Sequence, residues 1–258
     1  MSITIDVKGL VKKFPRFKLE IEKLNLSEGI HVIIGPNGSG KTVFLKLLSG
    51  LLRPSRGKII YNIDGKLLDS TEVLPYTSIV TTDIVLPNLK IRDLIKLYIS
   101  LQENDLNEIA KRFYITHVME KKYEELSSGY KKRVQLAIAL SLPTRIVLLD
   151  EPFINVDTKY ISYLEELISS TRNKLIVLST HVISKLLRNN IILLENGRIT
   201  YHGTIPRIIE KMVEIKLGNH RVSLDKIIED CIGENVDVKI FSILEAVSRF
   251  NDEKVEIS

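Results

Sequence analysis

An α/β fold with a largely parallel sheet is predicted by three features of the sequence. A glycine-rich segment, Gly35-Pro36-Asn37-Gly38-Ser39-Gly40-Lys41-Thr42, separates an apolar run at residues 30–34 from a helical pattern at residues 43–52. Two further apolar runs, at residues 146–149 and 175–178, flank a helical pattern at residues 159–172, the order of a parallel crossover. Strand and helix patterns alternate along most of the chain, as in sheets whose faces are covered by helices.

Residues 3–7 and 19–26 alternate apolar and polar side chains, so each reads as a strand with one exposed face. Gly29 turns the chain into residues 30–34, apolar on both faces and therefore a central parallel strand. After the first helix, Arg53-Pro54-Ser55-Arg56-Gly57 makes a turn, and residues 58–63 return as a strand before Asp64-Gly65. Residues 73–80 read as a further short strand. Residues 91–112 carry a helical stripe of Leu94, Ile95, Leu97, Tyr98 and Leu101. Another helix is expected over residues 127–142, capped by Ser127. Residues 191–194 and 198–201 form a hairpin around Asn196-Gly197. Beyond residue 204 the pattern mixes short helical and strand-like patches with charge and reads as a small extension.

With 258 residues and 44% apolar content, the chain is long enough for one large domain, or one domain and a tail. Its net charge of +5 is spread over short groups such as Lys121-Lys122 and Lys131-Lys132-Arg133. No basic run is long enough for a nucleic-acid arm, so nucleic acid is not the expected partner. The single cysteine, Cys231, excludes an internal disulfide and a thiol-rich metal site. Met1-Ser2-Ile3-Thr4-Ile5-Asp6 has no secretory pattern, which points to the cytosol. No stretch approaches the ~20 apolar residues that span a bilayer, so a membrane role has to run through a partner.

The glycine-rich segment sits between a strand and a helix, the setting of a phosphate-binding loop. Missing Cβ atoms let successive backbone N–H groups converge on an oxyanion, and the helix adds its positive N-terminal end. Lys41 then reaches the β- and γ-phosphates, and the Thr42 hydroxyl is placed for Mg²⁺. At the end of the run 146–149 stand two carboxylates, Asp150 and Glu151. Ligands of α/β sheets bind at such carboxyl ends. Asp150 suits the metal, and Glu151 suits proton abstraction from an attacking water. These residues predict a nucleoside triphosphate as ligand.

Further motifs follow in order. Leu126-Ser127-Ser128-Gly129-Tyr130, continued by Lys131-Lys132-Arg133-Val134, precedes the acidic strand, and Ser179-Thr180-His181 ends the next apolar run. With the phosphate loop and the acidic strand, this order resembles the ATP-binding subunit of an ABC transporter over roughly residues 3–204. Gly50-Leu51-Leu52-Arg53-Pro54-Ser55-Arg56-Gly57, and Asn196-Gly197-Arg198 with Gly203, are similar to the same pattern.

The resemblance implies a P-loop NTPase of ABC type, with a parallel core, an antiparallel β subdomain and a helical signature subdomain at about residues 89–135. Residues 1–204 would form the ATP-binding domain and residues 205–258 the extension. It implies ATP and Mg²⁺ as ligands, held by Gly35 to Thr42 and by the backbone N–H of Val43. Phe14 stands where the family stacks an aromatic ring on adenine, with Phe17 as the nearby rival. His181 would contact the γ-phosphate and help hold the water beside Glu151, and Asp157 would join two subunits' sites. Ser127 and Gly129 belong to a signature that closes over the ATP of a second subunit in a head-to-tail pair, either a homodimer or a heterodimer. The remaining partner implied is an integral membrane permease, which places the chain at the inner face of the cell membrane.

Several positions depart from the family pattern. Ser128 replaces a signature glycine, Tyr130 replaces a glutamine, and Val43 stands where a second hydroxyl is common. The Gln-loop glutamine falls on Thr81 or Thr82, and a Thr hydroxyl needs a bridging water to reach Mg²⁺. The signature with its Lys-Lys-Arg tail resembles export-type systems more than binding-protein-dependent importers. The expected function is therefore an ATP-hydrolysing subunit that powers a permease, read as an exporter. The rivals are a soluble ATPase of the same type acting on ribosome, nucleic acid or cofactor assembly, and a nucleotide-gated regulator with weak hydrolysis.

Overall fold

A computed structural model describes residues 2–99, 103–180 and 185–204. The strands are β1 (Ile3–Phe14), β2 (Phe17–Ser27), β3 (Gly29–Ile34), β4 (Arg56–Ile63), β5 (Lys66–Asp69), β6 (Thr77–Val80), β7 (Ile146–Asp150), β8 (Leu175–Ser179), β9 (Asn190–Glu195) and β10 (Arg198–Thr204). The α-helices are α1 (Lys41–Leu48), α2 (Ile91–Tyr98), α3 (Glu103–Arg112), α4 (Ser128–Ser141) and α5 (Thr158–Ser170).

Two sheets result. One is antiparallel, ordered β2-β1-β4-β5; the other is ordered β10-β9-β3-β8-β7-β6 and is parallel except for its edge hairpin. The apolar run at β3 lies between β8 and β9, which explains why both of its faces are hydrophobic. Side chains alternate across the parallel sheet. Val147, Leu149, Ile176 and Leu178 join the core beneath α2, α4 and α5, while Ile146, Leu148, Leu175 and Val177 join the core shared with α1 and the antiparallel sheet. The parallel sheet is thus a central layer, and its strand ends are fixed from both sides.

Most of the expected elements are present, with informative differences. Residues 73–80 are only half strand: Leu74–Tyr76 is a 3₁₀ turn with Pro75 in its first positions, and pairing begins at Thr77. The pattern at residues 91–112 divides into α2 and α3. Leu94 and Ile95 are buried, but Leu97 and Tyr98 are exposed, because α2 is only 8 residues long and turns one face to the core. Leu101 and the extension from residue 205 lie outside the described residues. Helix α1 starts at Lys41, earlier than the apolar pattern, since the phosphate loop runs straight into its first turn. Ser127 caps α4 as expected, its Oγ accepting the Tyr130 N–H. Among the described residues, no helix is long and apolar enough to cross a membrane.

Candidate functional site

The phosphate loop leaves β3 and enters α1. Gly40 holds φ at 106°, and a Cβ there would lie 2.7 Å from Phe17 Cζ, so only glycine fits. The loop is braced from a distance. The turn Asn196-Gly197, with both φ values positive, closes the β9–β10 hairpin, and Gly197 N–H donates to the Ser39 carbonyl at 3.1 Å. The Ser39 hydroxyl is buried and has no hydrogen-bond partner among the described residues. Such an orphan donor in a backbone cradle suits a phosphate oxygen.

Lys41 is buried, donating Nζ to the carbonyls of Gly35 at 2.7 Å and Pro36 at 3.3 Å. The same Nζ lies 4.0 Å from Glu151 Oε1. Thr42 Oγ1 donates to Asp150 Oδ2 at 2.6 Å, and Ser179 Oγ donates to the other Asp150 oxygen at 2.6 Å. Ser179 Oγ also accepts the Glu151 N–H at 3.0 Å. The parallel register pairs Asp150 with Ser179, so the two strands deliver their last residues to one point. A hydroxyl and a carboxylate side by side form a hard oxygen pair, the donor set that suits Mg²⁺. Glu151 departs from the strand with φ 48°, a left-handed conformation that costs a non-glycine residue roughly 1–3 kcal/mol.

Lys132 enters from α4 and donates Nζ to the Asp150 carbonyl at 3.4 Å. Burial pushes its ammonium below the usual lysine range, while the charges of Asp150 and Glu151 pull it back up.

The sequence-predicted residues fall into three groups. Lys41, Thr42, Asp150 and Glu151 are brought together, with Val43 following in the first turn of α1. Ser127, Gly129 and Asp157 form a separate surface. Asp157 caps α5 by accepting the Tyr160 N–H at 2.9 Å, and it pairs with Arg133 of α4 at 2.6 Å. The cap bond, followed by the Arg133 charge, holds its carboxyl below the usual aspartate range. Arg133 also stacks 4.0 Å over the Tyr160 ring. A Cβ on Gly129 would lie 2.6 Å from the Asn155 carbonyl oxygen, which ties the signature to the loop that follows Glu151.

The third group stands apart from both. Phe14 is exposed at the β1–β2 hairpin tip, 6.2 Å from the Phe17 ring. It is Phe17, however, that touches the phosphate loop at Gly40. Thr81 is buried directly after β6, but its hydroxyl donates to Asp83 at 2.7 Å. Asp83 in turn pairs with Lys46 of α1 at 2.6 Å, and these bonds, the Lys46 one foremost, hold its carboxyl below the usual range. His181 lies outside the described residues.

The sequence profile of the family described as ABC transporter matches residues 21–154, more than half of the chain. The chain belongs to the ABC transporter family. The Archaeoglobus fulgidus protein named molybdate/tungstate import ATP-binding protein WtpC is 30% identical over 211 residues, covering 76% of this chain and 86% of that one. A protein of the same name from Pyrococcus horikoshii is 30% identical over 163 residues, which are 60% of this ABC chain and only 47% of the relative. The match thus spans about half of that import protein. A solved ATP-binding cassette, described as dimeric, post-hydrolysis and bound to ADP and Pi, superimposes with a TM-score of 0.65 at 23% identity. It covers 78% of this chain and 99% of that one, and it shares the fold.

Sequence reasoning passed over Ser179, Lys132, Asp83 and the bracing by Gly197. Two of these left a trace: Ser179 ends the strand beside the acidic one, and Lys132 occupies an apolar position of its helix. Asp83 left none.

Proposed function

We propose that this ABC chain binds ATP with Mg²⁺ at the phosphate loop, hydrolyses it with Glu151 as base, and pairs head-to-tail with a second ABC subunit to drive a separate membrane permease. The observation that carries this reading is the chain of bonds from Thr42 through Asp150 to Ser179, with Glu151 beside Lys41. A hydroxyl–carboxylate oxygen pair, the Lys41 ammonium and the Glu151 carboxylate meet where β7 ends beside α1, and this supports the reading.

Lys41 serves the β- and γ-phosphates by giving up the carbonyls of Gly35 and Pro36. Thr42 and Asp150 would hold the metal, whose charge, when bound, offsets that of the phosphates. Glu151 takes the proton from the attacking water. His181, which follows directly on Thr180, is assigned to the γ-phosphate as the resemblance implies. Phe17 and Phe14 together form the adenine-facing end of the site. In the pair, Ser127 and Gly129 close over the nucleotide of the other subunit, and Asp157 links the two sites.

Residues 1–204 are taken as the ATP-binding domain and residues 205–258 as an extension, in a protein held at the cytoplasmic side of the membrane by its permease. The named relatives are import subunits, which supports a transport role and gives no support to the export direction expected from the signature. Direction and cargo reside in the permease. A second reading is favoured by one observation: with Thr81 bonded to Asp83, the Gln-loop position is engaged away from the metal pair, as suits a nucleotide-gated regulator with slow hydrolysis.

The deciding experiment is light scattering on Glu151→Gln, with and without ATP and Mg²⁺, beside steady-state turnover of the unsubstituted protein. The expected outcome is an ATP-dependent dimer for Glu151→Gln, whose hydrolysis falls by about 10²-fold or more. Retained turnover removes Glu151 from the base role. A dimer that forms with ATP in a protein showing no turnover supports the regulator instead.

A further inference from the structure

Helix α4 carries a lysine where its packing face calls for an apolar residue. Lys132 shares the inward stripe with Leu136 and Ala139, and only 8% of it is exposed. An ammonium is retained in such a place only where acceptors and opposite charge surround it. Here the acceptor is the Asp150 carbonyl, at 3.4 Å, and the opposite charges are Asp150 and Glu151. Lys41, on α1, is a further cation near Glu151, at 4.0 Å.

The peptide joining Asp150 to Glu151 is therefore held from both sides. Its carbonyl accepts from Lys132, and its N–H donates to the Ser179 carbonyl at 3.2 Å and to Ser179 Oγ at 3.0 Å. Directly after this peptide comes the left-handed backbone of Glu151. A strained residue keeps its conformation only when its surroundings over-determine it, and these three bonds fix the plane from which it departs.

We propose that Lys132 is a positioning residue for Glu151, clamping the Asp150–Glu151 peptide so that the signature helix and the hydrolytic carboxylate of the same chain are set as one unit. This rests on the reading of Glu151 as the base. The consequence is a single helix that addresses two nucleotides. Its first turn, at Ser127 and Gly129, faces the nucleotide of the neighbouring subunit, and Lys132, about one turn on, holds the base for the chain's own. Movement of α4 on closing the pair is then transmitted to Glu151 through a side chain rather than through the partner alone.

The test is steady-state ATP hydrolysis by the full chain carrying Lys132→Met or Lys132→Arg. Misplacing the base by a fraction of an ångström is expected to lower kcat on the order of tenfold to a hundredfold in Lys132→Met. KM for ATP stays within about twofold, since the phosphate loop is untouched. Lys132→Arg, which keeps charge and donors, recovers part of the loss. In a Glu151→Gln background, Lys132→Met brings no further loss of residual turnover, because it acts through the group already removed.

The proposal is overturned by unaltered kcat in Lys132→Met, by equal losses in the Met and Arg variants, or by an undiminished additional loss in the Glu151→Gln background. If Lys132→Met does not fold, Lys132→Gln, which keeps a donor without the charge, carries the same comparison. An active Glu151→Gln defeats the base reading itself. An active Lys132→Met beside an inactive Glu151→Gln defeats only the clamp.

Discussion

The phosphate-loop site and the signature surface are joined by α4 and the loop after Glu151, yet they are built in opposite ways. At the first, Lys41, Asp150, Glu151 and Ser179 are all less than 9% exposed and are bonded to one another across the chain. At the second, Ser127 and Ser128 are exposed, Gly129 and Tyr130 are half-buried, and the Asp157 side chain is 60% exposed even though it pairs with Arg133. The first arrangement is a buried, mutually bonded network, in which Lys41 is held by the carbonyls of Gly35 and Pro36 and Asp150 by Thr42 and Ser179. The second keeps its polar groups at the surface, where a further chain can reach them. The contrast matches the proposed roles, hydrolysis at the first region and pairing with a second subunit at the other.

That contrast is open to direct attack. The largest effect is expected from Lys41→Ala, which removes the cation beside Glu151 that is proposed to serve the phosphates. ATP affinity should fall on the order of a hundredfold, as loss of one or two charge-assisted bonds implies, while the signature surface stays intact. Fluorescent-nucleotide titration measures the first quantity. Native ATP affinity in this variant would mean that the loop backbone alone holds the nucleotide.

Gly129→Ala strikes the other region. Its Cβ would be 2.6 Å from the Asn155 carbonyl, so the loop after Glu151 has to shift. ATP binding is expected to persist, while ATP-dependent dimerisation and turnover drop by roughly tenfold or more. Loss of binding instead would show that the two regions are not separable. The smallest effect is expected from Arg133→Ala, which removes a partly exposed ion pair and a stacked cation. Its cost should be about 1 kcal/mol of stability, seen as a fall of a few degrees in Tm, with the phosphate-loop site unaffected. A large loss of ATP binding in this variant would blur the contrast.

The sequence by itself settled what is local. Apolar runs with period 2, helical stripes and the residues of each turn located nearly every strand of the parallel sheet, because short-range sterics and periodicity act on neighbours along the chain. The hairpin at Asn196-Gly197 and the cap at Ser127 were legible for the same reason. Where short-range rules compete, the reading was less complete: Pro75 converted half of an expected strand into a 3₁₀ turn, and β5, only four residues long, carried too little pattern to register.

Only the tertiary structure decided how the groups meet. Thr42 and Asp150 are 108 residues apart, and their 2.6 Å bond exists because β3 and β7 are both held beside β8. The same assembly put Phe17 rather than Phe14 against Gly40, engaged Thr81 with Asp83, and turned Lys132 from one basic residue among three into a buried contact of the acidic strand. Motifs name the chemical groups through their spacing along the chain. Which oxygen receives which proton depends on distances across the sheet, and those are fixed by the packing of layers that the spacing does not encode.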